Sequence, residues 1–214
     1  MDKTKFLDLG RQPIANGFLT EDQFENEFFY DLSVGFDRET ALVTHMEYVK
    51  PSLMFNDEYS YRGSMSNTMK LHFATFSKYV KQFLPKKHKV LEIGSNDGVF
   101  LVNWNSDRCF AVEPCGNFAK ETNQLGYKTY CGFWGGDLSQ QILSDVGTMD
   151  LVFAANCMCH IPDLDNTFSA VEKILSDDGF FIFEDPSLIE MINVNSYDQI
   201  YDEHPHIFSV TALN

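Results

Sequence analysis

The stretch "VLEIGSNDGVFL", residues 90–101, decides the fold of this chain. An apolar run ends in Glu92, and Gly94 and Gly98 then bracket a short turn into further apolar residues. Glycine is needed in such a turn because a side chain would block a ligand from the backbone and from the next helix. We therefore predict a strand, a ligand-binding turn and a helix, with Glu92, Gly94, Asn96 and Gly98 beside the ligand. The stretch lacks both the Gly-Lys-Ser/Thr end of a phosphate loop and the three glycines of a dinucleotide fingerprint.

Strand-like and helix-like segments alternate around this turn. The predicted strands are "HKVLEIG", "CFAVEP", "KTYCG", "MDLVFAAN" and "GFFIFEDP", and the helix-compatible stretches between them are 100–104, 118–125, 138–143 and 166–175. Continuous apolar strands that alternate with helices indicate an α/β fold, a doubly wound parallel sheet covered on both faces. A further helix is expected at 64–83. Before it, residues 1–62 are broken by Gly, Pro and Asn, which predicts a small N-terminal α+β region ahead of a domain at 63–214.

Glu113 ends the second of these strands, in "AVEP". An acidic residue in that place accepts hydrogen bonds from both hydroxyls of a ribose. The alternative, that it only caps the next helix, stays open because acids favour first turns. Together with the glycine turn, the acid predicts a nucleoside ligand with no required phosphate cradle, and S-adenosylmethionine is the natural candidate.

The composition excludes several classes of function. With 31 acidic and 16 basic residues the formal net charge is -15, which disfavours nucleic-acid partners. No apolar run is long enough to span a membrane and the first residues do not resemble a signal peptide, so we expect a cytoplasmic protein. The five cysteines have no regular spacing, and we expect neither a disulfide framework nor a metal at "CMCH", residues 157–160.

Residues 88–185 resemble the S-adenosylmethionine-dependent methyltransferases, with "EIGSNDG" as the glycine loop and "AVEP" as the ribose site. Over nearly the whole chain, the sequence resembles one family, the sugar C-methyltransferases that act on nucleotide-linked 4-keto-6-deoxyhexoses. The motifs that carry this resemblance, in the family's order, are "LDLGRQPIANGFL", "FNDEYSYRGSMS", "AANCMCHIPDL" and "YDQIYDEHPHIFSVTAL". The resemblance implies a Rossmann-like class I methyltransferase core, S-adenosylmethionine as methyl donor and a nucleotide-sugar as acceptor.

Methylation of carbon requires a base that removes a proton next to a ketone and a donor that stabilises the developing oxyanion. In "YDQIYDEH" the helical spacing of Tyr197, Tyr201 and His204 predicts one shared face. We expect His204 to be the general base, Tyr201 its hydrogen-bonding or acid/base partner, and Glu203 the group that orients the imidazole. The resemblance further implies that His160 and Tyr61 face the cofactor and the sugar.

Two further predictions concern the edges of the cofactor pocket. Asn156 and Cys157 follow the fourth strand of the sheet, where ligands bind in open α/β folds, so their backbone groups are expected at the cofactor's tail. Phe133, and with it Trp134, is expected to line the adenine pocket, although either ring is as readily a core residue.

The sequence departs from the family in two respects. Family members carry paired Cys-x-x-Cys motifs at the N-terminus, but Phe36 and Glu39 stand where the second pair is expected, and Phe cannot ligate a metal, so no zinc is expected. The family also continues for about as many residues again, which implies that the last strands of the sheet lie beyond this sequence. A homo-oligomer or a second chain that covers the sheet edge is therefore left open. So are two alternative functions: a methyltransferase for a smaller acceptor, and a cofactor-binding module that needs a second polypeptide.

Overall fold

The computed structural model describes residues 3–214, which form two compact units. The first unit contains the chain up to Met54 together with Asn156–Pro162 and Asp185–Asn214. The second contains Phe55–Ala155 and Asp163–Glu184. In chain order the strands are β1 (Lys3–Pro13), β2 (Phe29–Asp37), β3 (Leu42–His45), β4 (Val90–Ile93), β5 (Cys109–Glu113), β6 (Lys128–Cys131), β7 (Met149–Ala155), β8 (Leu175–Glu184) and β9 (His206–Ile207). The α-helices are α1 (Pro51–Met54), α2 (Asn67–Val80), α3 (Gly116–Gln124), α4 (Gly136–Val146), α5 (Leu164–Ile174), α6 (Leu188–Val194) and α7 (Val210–Leu213).

A five-stranded parallel sheet forms the centre of the second unit, in the order β6-β5-β4-β7-β8. Its inner strands β4, β5 and β7 are almost entirely buried, as the continuous apolar runs require when helices cover both faces. The chain leaves β4 first toward β5 and later returns to its other side as β7. The carboxyl ends of β4 and β7 therefore form the switch point at which open α/β sheets bind ligands.

Two helices of the second unit begin at a side-chain cap. The Ser66 hydroxyl accepts the backbone N–H of Met69 at the start of α2, and the Asp163 carboxylate accepts that of Asn166 at the start of α5. One face of α2 packs Phe73 and Val80 into the core against β4 and β7. Such amphipathic burial, rather than helix propensity, supplies most of a helix's stability in a folded domain.

The predicted α/β fold with a parallel sheet is confirmed, and all five expected strands are present. Two predicted elements differ from the structure. β8 begins at Leu175 rather than near Gly179, because the segment before the glycine already pairs with Met149 of β7. The expected helix at 100–104 is only the 3-10 turn Leu101–Asn103, in which Leu101 is buried while Val102 is 61% exposed.

The first unit contains an antiparallel sheet in the order β1-β2-β3-β9. Its outer strand β9 comes from the C-terminal motif: Thr44 pairs with His206, and Val43 with Ile207. The expected division of the chain at 62/63 stays a prediction, but this strand pairing joins the C-terminal motif to the N-terminal sheet. Only pairing between distant strands brings about this arrangement, and no local pattern in the sequence indicates it.

Within residues 3–214, none of the helices is both long and apolar enough to cross a lipid bilayer.

Candidate functional site

The glycine turn, Gly94–Gly98, follows β4 at the switch point of the second unit. Gly94, Asn96 and Gly98 all have positive φ angles, 73°, 47° and 83°, which L-residues other than Gly and Asn rarely adopt. The turn is held to the neighbouring strand because the N–H groups of Gly94 and Ser95 donate to the Val112 carbonyl at 2.8 and 3.2 Å. A Cβ atom added to Gly98 would lie 3.2 Å from Thr122 Cγ2. The turn therefore depends on glycine both for its backbone angles and for its packing.

Three buried carboxyl groups surround this turn: Glu92 in β4, Glu113 at the end of β5, and Asp97. Glu113 accepts the N–H of Asn96 at 2.7 Å and that of Cys115 at 2.9 Å, so it fixes the turn, and its two oxygens keep further lone pairs for a ligand. Burial raises the pKa of Glu113 in spite of these two bonds.

Glu92 combines deep burial with two acidic neighbours. Burial, and after it the neighbouring Glu113 and Asp97, raise the pKa of Glu92 well above its usual value. Its Oε2 atom is buried without a hydrogen-bond partner. An unpaired buried acceptor beside two further acids is costly unless a positive ligand arrives. The sulfonium and the ammonium of S-adenosylmethionine are groups of that charge, so the residues of the glycine turn fit the cofactor.

Tyr61 lies on a segment, residues 57–64, that is tied to the glycine turn within the second unit. Asn96 donates to the Tyr61 carbonyl at 2.9 Å and accepts the Gly63 N–H at 3.0 Å. The Tyr61 ring itself is 57% exposed. The structure thus brings Tyr61 to the predicted cofactor residues through its backbone, and its ring is accessible to a ligand. At the other end of the segment, Asp57 accepts the Gly116 N–H at 2.9 Å, where α3 begins.

Phe133 follows β6 and lines an open cavity of about 510 Å³ in the second unit. Its ring is 45% exposed, which suits a side chain that covers a ligand's flat face. Trp134 is different: it is buried, and its indole N–H donates to the Thr167 carbonyl at 3.3 Å. Of the two aromatic residues, Phe133 keeps a binding role open, whereas Trp134 is a core residue.

Asn156 and Cys157 directly follow β7, as predicted, and belong to the first unit. Asn156 has a φ of 48°, a left-handed conformation that Asn tolerates better than most residues and that turns the chain sharply as it leaves the strand. The 3-10 turn Met158–His160 comes next and carries His160.

His204 and His160 meet within the first unit as a stacked pair, with ring centroids 5.1 Å apart. His204 Nδ1 lies 2.8 Å from the Gln199 carbonyl oxygen. Because a carbonyl only accepts, Nδ1 carries the proton in the neutral ring, and Nε2 is left as its basic position. Burial lowers the pKa of His204, and it lowers the pKa of His160 to about 3, so both rings are neutral at physiological pH.

Tyr201 and Glu203 complete this group, which we call the histidine cluster: His160, Tyr201, Glu203 and His204. The Tyr201 ring lies 4.4 Å from that of His204, and its hydroxyl donates to Glu203 at 3.4 Å. Burial, and after it the charge of Glu203, raise the pKa of Tyr201, so the phenol keeps its proton. Glu203 also accepts a hydrogen bond from Asn16 at 2.5 Å.

The structure departs from the sequence interpretation of this motif in its local geometry. Residues 197–204 are a 3-10 turn and a bend rather than a helix, and Tyr197 is 73% exposed, so the expected shared face of Tyr197, Tyr201 and His204 is wrong. The Gln199 carbonyl holds the His204 ring, while the orienting role expected of Glu203 stays a prediction. Pro205 and the strand pairing of β9 explain the departure, because both oppose a continuing helix.

Sequence reasoning missed Asn16 as a functional residue. It stands in "LDLGRQPIANGFL", yet its contact with Glu203 joins residues 187 positions apart. Beside it, the Ala15 N–H donates to Asp202. The sequence offered one signal: this N-terminal motif and the motif "YDQIYDEHPHIFSVTAL" are both among the motifs that carry the family resemblance.

Cys159, His160 and His204 each offer a ligand atom within 4.8 Å of the others. A metal would need the lone pairs of both imidazoles to converge on one point about 2 Å from each ring. The two rings lie nearly parallel, at 23°, so their in-plane lone pairs run alongside each other instead. These residues would have to turn before they could hold an ion.

The comparisons with known proteins divide the chain in two. Residues 62–214 match the family model described as a methyltransferase domain, and residues 1–55 match one described as a zinc binding domain. The chain has no cysteine before Cys109, and His45 is the only histidine in residues 1–55. This donor set does not fit a tetrahedral thiolate zinc site.

The C-methyltransferase NovU of Streptomyces niveus is 28% identical to this chain over 212 residues. The alignment covers 97% of this chain and 50% of NovU, so the chain spans about half the length of the curated relative that it matches.

Two solved structures share the fold. The plantazolicin methyltransferase BamL, solved with S-adenosylhomocysteine, is 14% identical with a TM-score of 0.53, over 69% of this chain and 60% of that one. The YcgJ protein of Bacillus subtilis is 16% identical with a TM-score of 0.51, over 67% of this chain and 64% of that one. The parallel sheet with its glycine turn and the match over residues 62–214 agree, and the chain belongs to the S-adenosylmethionine-dependent methyltransferase family.

Proposed function

We propose that this chain is the cofactor-binding and proton-transferring part of a C-methyltransferase, which acts on the carbon next to the ketone of a nucleotide-linked deoxysugar. The observation that carries the proposal is the tautomer of His204: its Nδ1–H is held by the Gln199 carbonyl, which leaves Nε2 as a base within a buried cluster. The 28% identity to a C-methyltransferase supports carbon as the methylated atom.

In the proposed reaction, Nε2 of His204 takes the proton from the carbon beside the ketone. The electron pair of that C–H bond remains on the substrate as an enolate, whose carbon forms the new C–C bond. The bound cofactor supplies an electrophilic methyl group on a sulfonium, whose C–S bond breaks with both electrons going to sulfur. A neutral imidazole suits the first step because a ring that is already protonated has no lone pair to accept the proton.

The developing oxyanion needs hydrogen-bond donors that keep their protons. His160 is neutral, with a pKa lowered to about 3, and Tyr201 remains a phenol because its pKa is raised. Both lie against the His204 ring. We assign the donor role to His160 and a supporting role to Tyr201, whose hydroxyl is fixed by Glu203 and, through it, by Asn16.

The nucleotide part of the substrate rests on the family resemblance of the motifs. A nucleotide diphosphate is an anion and this chain carries a formal charge of -15, so its general field opposes binding. We therefore place the diphosphate contacts in the further length that NovU has beyond the aligned half. This predicts that, for this chain alone, nucleotide-linked and free keto-sugars differ little in KM.

The test measures turnover with a panel of nucleotide-linked 4-keto-6-deoxyhexoses, free keto-sugars and smaller ketones. The readout is the formation of S-adenosylhomocysteine and of the methylated product. His204→Ala and Tyr201→Phe are expected to lower kcat by at least about a hundredfold while cofactor binding stays intact. Tyr197→Phe is the matched control, since Tyr197 belongs to the same motif but is exposed. Full activity of His204→Ala would refute the assignment of the base, and turnover confined to small ketones would support the alternative acceptor class.

A second candidate function is a cofactor-binding module that needs another polypeptide segment for activity. It is favoured by β8, an outer strand of the parallel sheet whose ten residues include none that is fully buried. Phe168, Phe181 and Phe183 form a ring cluster there, and Phe180 is half-exposed. An apolar edge strand of this kind is normally covered. Turnover that appears only after co-expression with the C-terminal half of a longer relative would favour this candidate.

A further inference from the structure

A chain of hydrogen bonds runs through the first unit from a half-buried lysine to a buried histidine. Lys3 Nζ lies 3.0 Å from the Tyr48 hydroxyl, which lies 2.9 Å from the Thr44 hydroxyl. Thr44 Oγ1 is 3.1 Å from Nδ1 of His206, and His206 Nε2 is 3.2 Å from the Pro162 carbonyl oxygen. Thr44 and His206 are 2% and 3% exposed, so the inner half of the chain is shielded from water.

The donor or acceptor chemistry of Lys3 and Pro162, at the two ends of this series of hydrogen bonds, determines the direction of each bond. The Pro162 carbonyl only accepts, so Nε2 of His206 must carry a proton. Burial lowers the pKa of His206 to about 4, so the ring is neutral and Nδ1 must accept from the Thr44 hydroxyl. The Tyr48 hydroxyl then donates to Thr44, and the Lys3 ammonium, which has no lone pair, donates to Tyr48. All four bonds run the same way.

Thr44 could have used its proton elsewhere. The Pro205 carbonyl lies 2.9 Å from Thr44 Oγ1, but that carbonyl already accepts the backbone N–H of His45 at 2.9 Å. If Thr44 donated to Pro205, Nδ1 of His206 would be left buried without a donor, which is unfavourable because a buried acceptor loses its bond to water without a replacement. The His206 tautomer and the orientation of the Thr44 hydroxyl are therefore fixed together.

The hydrogen bond between His206 and Pro162 is closely connected to the histidine cluster. His206 stands two residues after His204, and Pro162 stands two residues after His160. The His206–Pro162 bond thus links the two segments that carry the stacked pair, just beyond the pair itself. Movement of either segment would change the distance between the two rings on which the proposed proton transfer depends.

We propose that His206 is a positioning residue for the His160–His204 pair, and that Thr44 sets its tautomer at the end of the donor chain from Lys3. The kinetic part of this inference rests on the proposed function. The structural part does not, because the tautomer and the ring positions can be measured without turnover.

The first test is ¹⁵N NMR of the histidine rings in the full chain and in Thr44→Val, which removes the hydroxyl and nearly keeps the shape. The wild type is expected to show the Nε2–H tautomer of His206, and Thr44→Val a mixture of tautomers together with shifted ring resonances of His160 and His204. Thr44→Ser restores the hydroxyl and is expected to restore the spectrum. Thr167→Val is the matched control: it removes a buried threonine hydroxyl from α5, in the other unit. An unchanged His206 tautomer in Thr44→Val would overturn the inference.

The second test is kinetic. With an accepted substrate, Thr44→Val is expected to lower kcat by about tenfold or more. The KM for S-adenosylmethionine should stay within about twofold of the wild-type value, because only the ring geometry changes. Tyr48→Phe, which removes the donor to Thr44 from a partly exposed position, is expected to cause a smaller loss. A KM effect without a kcat effect would refute the positioning role. Absence of turnover in the wild type would count against the proposed function, while the tautomer result would still decide the inference.

Discussion

His45 offers the sharpest test of the electrostatics of the first unit. It lies in β3 and is 1% exposed, and neither ring nitrogen has a hydrogen-bond partner. Burial, followed by the neighbouring His206, His204 and Lys3, lowers its pKa to about 4. We predict that His45→Gln, which keeps polarity and approximate volume but cannot titrate, makes the N-terminal sheet less sensitive to acid.

The magnitude follows from linkage. The folded-state pKa of about 4 lies below the unfolded value of about 6.5, so the unfolded chain binds more protons in that window. The contribution of His45 to stability is therefore fully present above about pH 6.5 and is lost as the pH falls toward 4. Between pH 7 and pH 5 the loss is about 2 kcal/mol. The variant should escape this loss, so its stability relative to the wild type should improve by that amount over the same interval.

The assay must report on the correct unit. Both tryptophans, Trp104 and Trp134, belong to the second unit, so intrinsic fluorescence would follow the wrong part of the chain. Hydrogen exchange of peptides that cover β3 and β9, corrected for the pH dependence of the intrinsic rate, measures the opening free energy of the N-terminal sheet itself. Val43→Ala on the same strand is the control, since it should destabilise equally at each pH. A difference between His45→Gln and wild type that stays constant from pH 7 to pH 5 would refute the reasoning.

Three further predictions concern the cofactor and the base. Gly98→Val should abolish cofactor binding measured by calorimetry, because φ is 83° and Thr122 lies against the added carbon; retained affinity would contradict the role of the turn. The preference for S-adenosylmethionine over S-adenosylhomocysteine should grow as the pH rises, since the carboxyl of Glu92, whose pKa is raised, then ionises and favours the sulfonium; the trend should vanish in Glu92→Gln. The pH profile of kcat/KM should rise through the lowered pKa of His204 and then level off, below the usual histidine range; an acid limb at or above pH 6.5 would show a solvated base.

The sequence was sufficient to predict the parallel sheet and the glycine turn of the second unit, because the sequence patterns that indicate them are local. The apolar runs of β4, β5 and β7 and the glycines at 94 and 98 fix strands, turn and parallel sheet without any distant contact. Even there, β8 started earlier than the apolar run suggested, because its first residues pair through the backbone, which does not depend on the side chains.

The first unit could not be derived in the same way, because long-range pairs hold it together. Neither the bond from Asn16 to Glu203 nor the pairing of Thr44 with His206 leaves a periodic trace in the sequence. The helical interpretation of "YDQIYDEH" failed for a related reason: spacing alone predicts a shared face only if a helix forms, and here the backbone bends into β9. Chemistry-bearing residue types could be recognised, but their partners could not.

The pairing of β3 with β9 also has a consequence for how the protein is made. Thr44 leaves the ribosome 162 residues ahead of its partner His206. During this time β1, β2 and β3 exist without their fourth strand, and the buried edge of β3 has only solvent or chaperones to pair with. The five strands of the parallel sheet β6-β5-β4-β7-β8 are all made before β9, so they can pair earlier. The histidine cluster then assembles later than this sheet, and cleavage just before β9 would remove both the fourth strand of the antiparallel sheet and His206, the proposed positioning residue, in a single event.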